Sequence, residues 1–328
     1  MSGAAARAGW TVDDKRGHMV RLTCARLPTM GRGIALALLA AALWGLAPVA
    51  TKGALGGYSP EMISVVRLAV AAVLLRRLGK ATGPWLPTDR WSWIGGVALG
   101  VDFILYNYGL RLTSAGVSGL VINVEVVATI ALAVWLLGES LTVRRIVGSV
   151  VTLAGVLFVS SAGLALDDIA AREHLLGNGM VMVAGVSWSL FAVAQRQAPR
   201  QGNLFQMLAP IFTVAALTTT PPLLLPAAWH NPGGGFPTFL LSVLVVLCTV
   251  AVYLVYARCQ ELVDVSVLAV VIGSIPIFAL VFARLILGEP LSDRVVIGGA
   301  VVLAGVLVIS TERPATGVLE TTAVERVP

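Results

Sequence analysis

The chain has 328 residues, of which 57% are hydrophobic and only 12% charged, with a mean hydropathy of +0.89. A soluble domain carries about 25% charged residues, so this composition excludes a soluble enzyme and a secreted disulfide scaffold. The net charge of +6 does not mark a nucleic-acid reader either, because the basic residues fall mostly between long apolar runs.

Residues 1–32 are polar and basic without an amphipathic period, and read as a disordered cytosolic tail. Met30, beside Gly31-Arg32-Gly33 and the first apolar run, is a second candidate start. That run is too long for a signal peptide and lacks a small-residue cleavage site. Apolar runs and their breakers then predict ten helices, at 33–54, 59–78, 91–111, 114–137, 144–161, 175–196, 203–226, 237–259, 263–287 and 294–311. About 20 apolar residues at 1.5 Å rise cross a ~30 Å hydrocarbon core, and Ala115 to Leu137 does so with Glu125 as its one ionisable side chain. The fold class expected is therefore all-α integral membrane. Pro48, Pro210 and Pro276 fall inside helices 1, 7 and 9, where they free carbonyls and predict kinks. Residues 312–328 read as a second cytosolic tail. Lys and Arg concentrate in the first tail, in 76–90 and in the 4–5, 6–7 and 8–9 connections. That bias places both termini in the cytosol of a multi-pass plasma-membrane protein.

The chain repeats itself. Leu136-Leu137-Gly138-Glu139-Ser140-Leu141 recurs 150 residues later as Ile286-Leu287-Gly288-Glu289-Pro290-Leu291. In the same register Gly148 matches Gly298, and Leu153-Ala154-Gly155-Val156-Leu157 returns unchanged at 303–307. Trp44 aligns with Trp188, and Lys52 with Arg196, at an offset of 144. Each unit, 33–161 and 175–311, holds five helices, an odd number, so the second enters the membrane from the opposite side. Inverted duplications of this kind build secondary transporters with a site near the midplane between the halves.

Leu43-Trp44-Gly45, the two Leu-Gly-Glu-x-Leu turns and the two Leu-Ala-Gly-Val-Leu endings resemble the drug/metabolite transporter superfamily, specifically the EamA-type ten-helix proteins. The likeness covers about residues 33–311. It implies ten transmembrane helices in two EamA repeats and export of small metabolites or amino-acid-like solutes, commonly ion-coupled, with no cofactor. Glu125 matches the glutamate some members carry in helix 4, but Val126 replaces the proline that follows it there. The proline cause of a helix 4 kink is thereby removed.

Charge at membrane depth costs roughly 2.5–3.5 kcal/mol on insertion scales, so each such residue needs a reason. Asp102 and Glu125 each lie about 16 Å into their helices at 1.5 Å per residue, near the middle of the core. Ser114, Ser118, Glu125 and Thr129 share one face of helix 4, and Tyr106 stands one turn from Asp102. One reading is a wet cavity whose carboxylates bind a proton or a cationic group; the other is a structural carboxyl. Arg67, about 12 Å deep in helix 2, either forks onto a substrate carboxylate or bridges Asp102 or Glu125. Trp44, Pro48 and Thr51 on helix 1, Trp188 and Gln195 on helix 6, and Ser242, Thr249, Tyr253 and Tyr256 on helix 8 form further stripes, either cavity wall or packing.

The Leu-Gly-Glu turns fit ordinary helix capping at opposite membrane faces, and Gly96/Gly100, Gly148/Gly155 and Gly298/Gly305 fit close helix packing. Cys24, Cys248 and Cys259 form no CxxC, and His18, His174 and His230 lie outside the apolar runs. No HExxH, Walker A or GxSxG occurs, so neither an enzyme nor a metal site is expected. The leading function is alternating-access export of a small molecule across the lipid bilayer, with protons as a candidate coupling ion. A lipid or amphiphile flippase, a membrane enzyme and a non-transporting membrane protein stay open beside it.

Overall fold

A computed structural model describes residues 10–12, 19–21, 27–112, 121–160, 172–199, 202–229, 232–287 and 293–311. Two short strands, β1 (Trp10–Val12) and β2 (Met19–Arg21), pair antiparallel with Trp10 opposite Arg21. The remaining residues before Leu27, within the stretch expected to be a disordered tail, lie outside the described residues. The other described residues are helical or connecting. The helices are α1 (Leu27–Ala54), α2 (Pro60–Leu78), α3 (Arg90–Leu112), α4 (Val124–Leu137), α5 (Val143–Ser160), α6 (Arg172–Gln197) and α7 (Leu204–Thr218). They continue as α8 (Gly235–Val245 and Val252–Leu262, joined by a π-turn at Val246–Ala251), α9 (Val265–Ile272, then Ile275–Leu287) and α10 (Asp293–Ser310).

Among the described residues, Met30–Thr51, Leu175–Gln197, Leu204–Leu224 and Gly235–Leu262 are long and apolar enough to cross a membrane by length and composition. Shorter apolar helices, Val124–Leu137, Val265–Ala279 and Val296–Ile309, accompany them. The chain is thus a helical membrane protein. Its packing is paired: α3 lies against α6, α1 against α8, α2 against α7, and α5 against α10, while α4 meets α6 as α9 meets α1. Repeat-equivalent details recur as well. Ser59 caps α2 by accepting from Met62 N at 3.2 Å, and Asn203 caps α7 by accepting from Gln206 N at 3.0 Å, 144 residues on.

Connections collect at two ends. At one, Gly79 O accepts from Gln206 Nε2 (2.9 Å), Gln197 Nε2 donates to Leu136 O (3.3 Å), and Gly33 packs on Leu262 and Val263. At the other, Ser59 Oγ donates to Ala228 O (2.8 Å) and Tyr58 meets Thr238 (2.7 Å). Helix α1 begins at the first end, and α6 finishes there.

Several expected helices differ in detail. Helix 4 is not continuous from 114: α4 starts at Val124, after a turn at Ile122 and Asn123. Glu125 N donates to Ile122 O (3.0 Å) and Val126 N to Asn123 O (3.1 Å), the tight spacing of a helix start. The break needs no proline because α6 supports it. Gly185 lies flush on the Ile122 carbonyl, and Ser189 Oγ donates to the Glu125 carbonyl at 3.0 Å. Helix 9 breaks at Gly273 and Ser274, within one residue of the repeat-equivalent position, and Pro276 opens its second half, where the missing N–H costs nothing. Pro48 and Pro210 lie within unbroken α1 and α7. Helix 7 stops at Thr218 and gives way to 3₁₀ turns at Pro221–Leu224 and Pro226–Trp229.

Candidate functional site: charged groups around a paired tryptophan

Trp44 and Trp188, equivalent in the two repeats, touch edge to face with ring centroids 5.1 Å apart. Gly45, next to Trp44, lets α9 close in; a Cβ there would sit 2.9 Å from Ala279 N. Tyr253 and Tyr256 each stand 5.4 Å from the Trp44 ring and 5.8 Å from that of Trp188. Phe212 adds a perpendicular contact on Tyr253 at 4.9 Å, within the range of favourable aromatic pairs. This knot joins α1, α6, α7 and α8.

The ionisable residues surround it. Arg67 reaches from α2 to the π-turn of α8, where Nε donates to Thr249 Oγ1 (3.1 Å) and an Nη to the Cys248 carbonyl (3.2 Å). A π-turn withholds carbonyls from their usual partners, and the guanidinium takes one of them. Its face rests on Phe103 at 4.8 Å. Asp102, in the middle of α3, interacts electrostatically with Arg67, Tyr106 and Glu125, and Tyr253 feels the charges of Asp102, Arg67 and Glu125. Among the described residues no contact within 4.0 Å pairs Arg67 with either carboxylate. The guanidinium is held by α8 and keeps further N–H groups for another partner.

Glu125 lies in the first turn of α4, immediately after the break, where helix N-terminal amides favour an anion. With Thr129, Trp188, Tyr256, Ala269 and Ile272 it lines a cavity of ≈ 10 Å³, about the room one water needs. Thr129 Oγ1 donates to Ser189 Oγ at 2.9 Å, so its hydroxyl also ties α4 to α6. The structure thus brings Glu125, Asp102, Arg67, Tyr106, Trp44, Trp188, Tyr253 and Thr129 to one region. Ser118 and Ser114 lie outside the described residues.

The helix 8 stripe is only partly as expected. Thr249, Tyr253 and Tyr256 are buried, but Ser242 is exposed and bonds its own helix at Thr238 O. The π-turn between them adds a residue and turns Ser242 off the face. Sequence reading passed over Phe103, Phe191, Phe212, Ser189 and the Cys248 carbonyl. The repeat carried a usable signal for one of them, because Phe103 and Tyr253 share the 150 offset, as do Tyr106 and Tyr256. The charges do not repeat: Ile211, Val252 and Ile275 stand where Arg67, Asp102 and Glu125 do. A symmetric aromatic scaffold therefore carries its ionisable groups on one half.

Comparison with known proteins agrees with the fold. The EamA-like transporter family profile matches twice, over residues 31–161 and 175–311. An Archaeoglobus fulgidus protein named as an uncharacterized transporter is 25% identical over 288 residues, covering 87% of this chain and 100% of its own. A chloroplastic WAT1-related protein of Arabidopsis thaliana is 25% identical over 297 residues, 81% of this chain and 66% of its own. One solved crystal structure superposes with a TM-score of 0.73 at 20% identity, covering 85% of this chain and 98% of that one, a likeness of fold. With the profile spanning both halves of the helical bundle, the chain belongs to the EamA-like transporter family, within the drug/metabolite transporter superfamily.

Proposed function

We propose that the protein is a secondary exporter of small metabolites or amino-acid-like solutes, working by alternating access and coupled to protons through Glu125. Its ten transmembrane helices form two inverted repeats, 33–161 and 175–311, in the plasma membrane with both termini cytosolic. The observation that carries this reading is the cluster of Arg67, Asp102 and Glu125 around a tryptophan pair contributed equally by the two halves. Charged side chains deep in a bundle mark solute and ion paths. Pairing of α2 with α7 and of α5 with α10, each its own repeat counterpart, the matched pairs α3–α6 and α8–α1, and the opposite directions of α1 and α6 support the inverted arrangement. Helix breaks within one residue of equivalent positions in α4 and α9 support a midplane site, since interrupted helices there bring free backbone groups to a solute. A cavity of ≈ 10 Å³ is a closed form of such a site, and solute enters as the two halves separate.

Purified protein in proteoliposomes is expected to move at least one solute from a panel of amino acids, sugars and organic cations. Transport of none, by protein that stays folded, would remove the reading; movement of labelled phospholipid alone would make it a flippase. Topology gives a separate check. Reporters fused after Lys80 and after Pro314 should read cytosol, and one after Asp168 should read outside. Ends on opposite sides would dissolve the five-plus-five inversion.

A further inference from the structure

Gln195 on α6 is fully buried, and neither its amide oxygen nor its amide nitrogen has a hydrogen-bond partner. An unpaired buried amide bears the full cost of its desolvation, so a pure packing position would favour Leu or Met. Gln195 sits seven residues beyond Trp188, on the same helix face and toward the end where α4, α6 and α8 finish. Gln260, also buried, stands at that level: its Nε2 donates to the Ala192 carbonyl at 2.8 Å, and it meets Tyr256 of the aromatic knot. Polar groups thus continue from the central cluster toward this end.

The end itself is fastened by a contact between the two halves. Glu139, in the turn after α4, does not cap the helix that follows it. Its Oε1 accepts from Val265 N at 2.7 Å, and its Oε2 accepts from Ser266 N at 3.0 Å and from the Ser266 hydroxyl. These are the first amides of α9. Asp264 at the N-cap position makes no cap of its own; its carboxylate pairs with Arg145 of α5. A carboxylate from the first half therefore caps the α9 terminus of the second by charge-assisted bonds. Gln197 Nε2, donating to Leu136 O, places Gln195 just inside this closure.

We propose that Gln195 lines the cytosolic arm of the transport path and that Glu139 shuts that arm by capping α9. This rests on the alternating-access reading above. When the cap releases, the amide gains water or a passing solute; with two donors and one acceptor it suits a hydroxyl, amide or carboxylate. Closed, it has no protein partner. Val263, Val265, Leu136 and Leu137 pack at the same end, and the carboxylate adds to them a set of bonds that a single substitution removes.

The test uses a chain whose native cysteines are replaced, with a single cysteine introduced by Gln195→Cys. A small cationic methanethiosulfonate reagent is applied from the cytosolic face. Labelling is expected to be slow with Glu139 present and at least about tenfold faster with Glu139→Gln, one decade of equilibrium shift. A control cysteine at Ala215, buried between α7 and α3, must stay unlabelled in both, which shows that the variant is folded. Separately, Gln195→Leu should raise Tm, because it removes an orphan amide. Equal labelling rates with Glu139 and Gln at that position, the control silent, would overturn the gate. A fall in Tm for Gln195→Leu would make Gln195 a structural residue and overturn the path. Neither result touches transport itself, which the wild-type protein reports in proteoliposomes.

Discussion

Glu125→Gln is expected to abolish pH-gradient-driven accumulation, by at least about tenfold, while Tm moves by no more than about 2 °C. The glutamine matches the glutamate in size and hydrogen-bonding reach but cannot exchange a proton. The contacts that hold this part of α4 are made by the main chain: Glu125 N to Ile122 O, and Ser189 Oγ to the Glu125 carbonyl. Both survive the substitution. Arg67 survives it too, since Thr249 and the Cys248 carbonyl hold the guanidinium. A glutamate serving only as a structural bridge to Arg67 would behave differently: expression and thermal stability would fall along with transport. Downhill exchange should persist in the variant, because the aromatic knot and Asp102 are untouched. Uptake with wild-type pH dependence in Glu125→Gln would pass the coupling role to Asp102.

Gly305→Val should be the most damaging single change to the scaffold. Helices α5 and α10 cross on four glycines, paired crosswise: Gly305 against Gly148, and Gly155 against Gly298. A Cβ at Gly305 would lie 2.7 Å from Thr152 N and 2.8 Å from Gly148 O, and one at Gly155 would lie 2.9 Å from Val302 N. Backbone atoms cannot step aside as a side-chain tip can. The helices must part, and overpacking of this kind costs about 1–3 kcal/mol, or more where backbone moves. A Tm drop of roughly 5 °C or more, or loss of the folded protein, is the expected result. Gly299→Ala is the matched control, because its nearest neighbour would be Ile277 at 3.6 Å, an ordinary contact. Equal stability of the two variants would show that the α5–α10 crossing is not close-packed.

The small-residue stripes on α5 and α10 were readable because close packing of helices selects for glycine directly. The 150-residue register also carried which glycines correspond, though not that they meet crosswise. The correspondence of the two tryptophans was readable in the same way, at an offset of 144, but their edge-to-face contact was not. Depth arithmetic singled out Asp102, Glu125 and Arg67, because a charge within an apolar run stands out without tertiary information.

What escaped was set by contacts between distant segments. The break in α4 occurs without proline, beside a Glu125 carbonyl that accepts from Ser189 Oγ of α6 and a close approach that Gly185 of α6 allows, some 60 residues away. The π-turn of α8 has no sequence mark, yet it decides that Thr249 faces Arg67 while Ser242 faces outward. Glu139 was readable as a capping residue, but its choice of α9 over the adjacent helix belongs to the fold.

The most direct test is solute-evoked proton movement in proteoliposomes holding the purified protein, clamped at zero membrane potential and loaded with a pH-sensitive dye. Adding a transported solute to the outside should change the internal pH in step with solute flux, and Glu125→Gln vesicles should show no such change. Solute flux with no proton movement in the wild type, or equal proton movement in Glu125→Gln, would contradict a carrier whose coupling group is Glu125.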